Sequence, residues 1–179
     1  MTDFTNIDYL KTGDFTQQMA YKALTENQIL HYLQNFDPLL VGTVPLAIAI
    51  ENSDLDIICH WKAKEEFIAA IQLHFGNFNR FFLKEFEVKG MPTVLANFHT
   101  ADFEIEIFGQ NIPSRQQLGY SHMIVENALL LDRDEDFKSR IIALKKQGYK
   151  TEPAFAKLLA IEGDPYQGLL DYEYLVDLK

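Results

Sequence analysis

Two aspartates stand one residue apart in Ser53-Asp54-Leu55-Asp56-Ile57, inside a run that is otherwise apolar through Ile58 and Cys59. Side chains of a strand alternate between faces, so Asp54 and Asp56 project the same way about 7 Å apart while Leu55 and Ile57 enter the core. Aspartate is depleted in strands, and like charges held this close repel unless a cation or hydrogen-bond donors compensate. Such a pair suits Mg²⁺ (or Mn²⁺), which keeps part of its water shell and takes one or two carboxylates together with phosphate oxygens.

A second acidic pair lies in Asp102-Phe103-Glu104-Ile105-Glu106-Ile107-Phe108, where strict alternation puts Glu104 and Glu106 on one face and Phe103, Ile105 and Ile107 on the other. Beside the strand of Asp56 these carboxylates would converge on a two-metal arrangement, one ion activating the attacking oxygen and the other holding the leaving phosphate. Taken alone, each pair also reads as the wet face of an amphipathic strand.

The elements that must position these acids are legible in outline. Leu39-Leu40-Val41 is a short buried strand entering a tight turn at Gly42-Thr43, and Leu55 to Trp61 is a second strand. Lys62 to Phe75 carries Phe67, Ile68, Ile71 and Phe75 at helical spacing, with Gly76 as its cap. Phe81 to Val88, Thr93 to Phe98 and Phe103 to Phe108 form an antiparallel meander. Residues 15 to 35 read as two short helices with a capping box at Thr25-Glu26-Asn27-Gln28. Four helices follow the sheet. They open at the capping box Ser114-Arg115-Gln116-Gln117, at Asp134, at Thr151-Glu152-Pro153 and at Asp164-Pro165, the last two with a capping side chain and an early proline. The fold class is α+β. A mixed or antiparallel sheet of four or five strands with N-terminal helices fills 1–112, a helical part packed on it fills 113–179, and the whole is one domain.

A hydrophobic share of 47% with 13% aromatics supplies a core. The chain shows no secretion signal and no membrane-length apolar run, and Cys59 is its one cysteine, which together predict a cytoplasmic protein without disulfides or a membrane partner. A net charge of −10 argues against generic nucleic-acid binding. The run from Lys138 to Thr151 nevertheless holds five basic residues and no acid, enough to meet a small phosphorylated ligand.

Taken together, Val41-Gly42-Thr43, an interval of ten residues, Asp54-Leu55-Asp56-Ile57, and then Phe103-Glu104-Ile105-Glu106-Ile107 resemble the signature of the DNA polymerase beta-like nucleotidyltransferase superfamily. In that superfamily a Gly-Ser or Gly-Gly pair precedes an acidic-hydrophobic-acidic strand by about this interval, and a third acid comes from a neighbouring strand. The turn Gly42-Thr43-Val44-Pro45 resembles that of the GrpB-like branch. With Tyr120-Ser121-His122-Met123 and Lys150 to Ala156, most of the chain looks like a bacterial domain-of-unknown-function family within the superfamily. The resemblance implies a nucleotidyltransferase-like fold. Asp54 and Asp56 would bind Mg²⁺, Glu106 would supply the third carboxylate with Glu104 as the alternative, and Gly42 and Thr43 would approach the triphosphate of an NTP substrate. It normally also brings a helix after the glycine pair, from which Pro45 and the β-rich Leu46 to Ile50 depart.

Ser53, Lys150 and His122 complete the candidate nucleotide contacts. Lys150 and Lys157 bracket a helix start whose amides favour anions, and His122 follows the acidic strand on a helix. Asn97 and His99 alternate beside the acids. The five histidines never fall at zinc-ligand spacing. The activity implied is Mg²⁺-dependent transfer of a nucleoside monophosphate from an NTP to a small-molecule or protein acceptor. Two alternatives share the acids: a non-catalytic binding or regulatory module of the same fold, and a metal-dependent phosphoesterase.

Overall fold

The computed structural model describes residues 2–176. Five strands, β1 (Leu39–Val41), β2 (Leu55–His60), β3 (Asn79–Val88), β4 (Met91–His99) and β5 (Glu104–Gln110), form one sheet in the order β1-β2-β5-β4-β3. β3, β4 and β5 are the antiparallel meander, β1 runs antiparallel to β2, and β2 and β5 lie parallel in the centre. Parallel neighbours need a long crossover, which here contains α3 (Lys64–Phe75) and the β3-β4 hairpin.

The sheet is apolar on both faces, so it needs two covers. On one face Leu55, Ile57, Cys59, Ile105 and Ile107 pack with α3 and with α1 (Phe15–Glu26) and α2 (Ile29–Tyr32). On the other, Leu39, Val41 and Ile58 meet the C-terminal helices α4 (Leu118–Asp132), α5 (Glu135–Lys146), α6 (Thr151–Leu159) and α7 (Pro165–Val176). Those helices lie over the β1-β2 side, centred on Ile141 and Phe155, both fully buried. Among the described residues no helix is long and apolar enough to cross a membrane.

Several helix starts differ from the sequence reading. The N-terminal capping box belongs to Asp14 and Gln17, which open α1. Thr25 sits inside that helix with its hydroxyl donating back to the Tyr21 carbonyl at 2.7 Å, the local bond that competes with capping. Helix α1 ends at Asn27 and left-handed Gln28. Ser114 opens only a single 3-10 turn, because its hydroxyl is drawn to the Asp37 carbonyl, and α4 begins after Gln117. Thr151 is already helical: the N-cap of α6 is Lys150, with no side-chain capping bond. Asp134 and Asp164 do cap, accepting from the Phe137 and Tyr166 amides at 2.9 Å each.

Candidate active site

Gly42 ends β1 at φ 82°, a left-handed conformation that costs glycine nothing. The chain then turns tightly, with Ile48 N–H donating to the Thr43 carbonyl at 3.1 Å, and no helix follows the glycine. This turn is pinned from both sides. Gln17 Nε2 donates to the carbonyls of Val44 and Pro45 at 3.0 and 3.1 Å, and Lys145 Nζ donates to the Ile48 carbonyl at 2.9 Å. Ser53 closes the descent toward β2 by accepting from the Ile50 amide at 2.9 Å. Asp54 then lies immediately before β2 and Asp56 within it.

The central parallel ladder sets Asp56 opposite Glu106, and the antiparallel one sets Asn97 opposite Glu106. Asn97 Nδ2 donates to both glutamates, at 3.2 Å to Glu104 and 3.3 Å to Glu106. Glu104 is exposed, with His99 Nε2 at 3.7 Å. Asp54, Asp56 and Glu106 line one cavity of about 680 Å³, which Glu104 does not. Gly42 presses against this cluster so closely that a Cβ there would collide with Asp56 Oδ2.

Burial pushes the Asp56 carboxyl up to about 8, and the Asp54 and Glu106 charges add to the effect while Lys145 opposes it. Burial also raises Glu106, against the Asn97 amide that favours its anion. A hard divalent cation would relieve this repulsion, and an all-oxygen donor set fits one. Among the described residues no three His, Cys, Asp or Glu side chains close into a ready metal cage. An ion held here would therefore complete its shell with water and substrate phosphate, the usual habit of Mg²⁺.

Of the other residues singled out in the sequence, Gly42, Thr43, Ser53, His122 and Lys150 all line the same cavity. His122 is buried, its Nδ1 without a partner among the described residues and its ring edge-on to Tyr166 at 6.0 Å; burial lowers its pKa. Lys157 lies elsewhere, bonded to the Tyr149 hydroxyl at 2.7 Å.

Among the lining residues that the sequence reading did not place at the site are Glu126, Lys145 and Glu152. Glu126 follows His122 by four residues, so both share the cavity face of α4. Lys145 belongs to the basic run 138–151 but turns inward beside Ile141 and Leu144. It is 7% exposed, and burial brings its ammonium down to about 8 despite the carboxylates of Glu126, Asp54, Asp56 and Glu152 around it. The helical period of α5 was the available signal.

The fold is that of the nucleotidyltransferases. The Cid1 poly(U) polymerase superposes with a TM-score of 0.56 at 14% identity in a MgATP-bound form, over 88% of this chain and 49% of that one. Its MgGTP-bound form gives 0.54 at 14% identity, over 74% and 42%. The GLD-2/RNP-8 complex gives 0.51 at 10%, over 83% and 56%. This chain thus spans about half the length of these structures. It belongs to the family described as Domain of unknown function (DUF4269), whose model matches residues 22–172. No curated protein matches it.

Proposed function

We propose that the protein transfers a nucleoside monophosphate from an NTP to an acceptor in a Mg²⁺-dependent reaction. The observation that carries this reading is the pairing of Asp56 with Glu106 across the central ladder, with Asp54 in the same cavity and Gly42 directly against Asp56. The nucleotidyltransferase-like fold supports it, as does the MgATP and MgGTP bound to the Cid1 neighbours.

Asp54, Asp56 and Glu106 would hold the cation, whose charge, when bound, neutralises the transferring phosphoryl group. Gly42 has no Cβ to crowd the Asp56 carboxylate, and the Gly42-Thr43 turn lines the cavity where the phosphates would sit. At the far wall Lys150 and Thr151 line the cavity at the start of α6, whose N-cap makes no side-chain bond, and such a terminus attracts anions. Lys145 spends one proton on Ile48, leaving two for phosphate oxygens.

A thermal-shift panel tests this. An NTP with Mg²⁺ raises the melting temperature, neither alone does so fully, and Asp54→Asn with Asp56→Asn removes the shift. No shift with any of the four NTPs contradicts the proposal. A module without turnover shares the shift but releases no pyrophosphate, and it draws on the absence of a helix after Gly42. A phosphoesterase forms product with no acceptor present.

A further inference from the structure

The cavity holds more acid than a cation site uses. It is lined by six carboxylates against three lysines. Asp54, Asp56 and Glu106 are engaged by the cation and Lys145 and Lys150 by the triphosphate, which leaves Glu126 and Glu152 in the interior and Glu51 at the rim. Glu126 is 3% exposed and faces the cavity. Burial lifts its carboxyl well above the ordinary range, with the Glu152 charge adding and Lys145 opposing, and among the described residues no hydrogen bond to it is found. Lys145 feels the Glu126 charge but directs its ammonium at the Ile48 carbonyl, and among the described residues the two form no ion pair.

A buried carboxyl without a donor is costly, so such a group is a site for a ligand that brings one. A ligand ammonium brings both charge and N–H donors. The α4 residues Leu118 and Met123, with Ile112, give its carbon skeleton an apolar wall. A nucleic-acid acceptor, by contrast, would bring more negative charge to a chain already at −10.

Resting on nucleotidyl transfer at this site, we propose that Glu126 and Glu152 take a protonated amine of the acceptor, which is a cationic, amine-bearing small molecule with a hydroxyl. The hydroxyl oxygen forms a bond to the α-phosphorus of the NTP, and the bond from that phosphorus to the oxygen bridging the β-phosphate breaks. Pyrophosphate leaves with the electron pair, and the hydroxyl proton passes to a carboxylate of the cluster.

The test compares 1,3-diamino-2-propanol with glycerol, which has the same skeleton and central hydroxyl but no charge. Both are added to the full chain at pH 7 in 0.5 M NaCl, where exposed charges are screened to within about 4 Å. The diamine raises the melting temperature by about 3 °C when well above its dissociation constant, and glycerol does not. Glu126→Gln removes the diamine shift and Glu152→Gln reduces it, while the shift from Mg²⁺ with NTP persists in both. Equal shifts for the two compounds, or a diamine shift that survives Glu126→Gln, overturn the proposal. So does an altered ranking of the four NTPs in Glu126→Gln, which would make Glu126 a reader of the base. Loss of the NTP shift in the unaltered protein, with the diamine shift retained, instead overturns nucleotidyl transfer and leaves an amine site.

Discussion

Asp56 is buried among the charges of three carboxylates, Asp54, Glu106 and Glu152, and one ammonium, Lys145, and its protonation follows from that company. In the folded chain its carboxyl is raised from 3.8 to about 8. Its contribution to stability is therefore complete below pH 3.8 and is lost as pH climbs through 8. Lys145 runs the other way: lowered from 10.5 to about 8, it contributes fully above pH 10.5 and its contribution is lost as pH falls through 8. Cation binding needs the Asp56 anion, so affinity for Mg²⁺ with NTP should rise by up to about tenfold per pH unit below 8 and level off above. Calorimetric titrations at pH 6, 7 and 8.5 measure this, and Asp56→Asn should remove most of the slope. A flat profile in the unaltered protein would mean that Asp56 is not a ligand.

At the scale of elements, the β1-turn-β2 segment does the positioning. Gly42 is held at φ 82° against Asp56, so Gly42→Ala introduces both a strained backbone and a collision. About 1–3 kcal/mol of destabilisation is expected, measured by urea unfolding, together with loss of the Mg²⁺-dependent shift. A variant as stable as the parent that still binds would show that the close approach is dispensable. The segment's strands, its turn and the alternation of Glu104 and Glu106 were legible because period and glycine placement are local signals. The caps at Thr25, Ser114 and Thr151 were misjudged because a capping pattern does not show which partner a hydroxyl takes. Each hydroxyl had a competing fate, a carbonyl one turn back for Thr25, the Asp37 carbonyl for Ser114 and a place inside the helix for Thr151.

Across the whole molecule, the site exists because two cores clamp one sheet and the C-terminal helices stop short of covering all of its second face. That geometry is tertiary. The parallel pairing of β2 with β5 puts Glu106 beside Asp56, yet strands separated by 43 residues between His60 and Glu104 carry no sequence mark of being neighbours. Glu126 and Lys145 were hidden for the same reason: a charged residue on an amphipathic helix reads as solvated until the packing of α4 against β1 and α7, and of α5 against α6, buries it. The resemblance to nucleotidyltransferases supplied what spacing could not, and the superposed structures share its fold.

The claim on which the rest depends is that Asp54, Asp56 and Glu106 hold a divalent cation. Crystals grown with Mn²⁺ and a non-hydrolysable NTP analogue, measured for anomalous scattering, test it directly. The account predicts a strong peak bound by the carboxylates of Asp54 and Asp56, on the Glu106 side and touching the triphosphate. An anomalous map with the nucleotide in place and no peak at these carboxylates would contradict it.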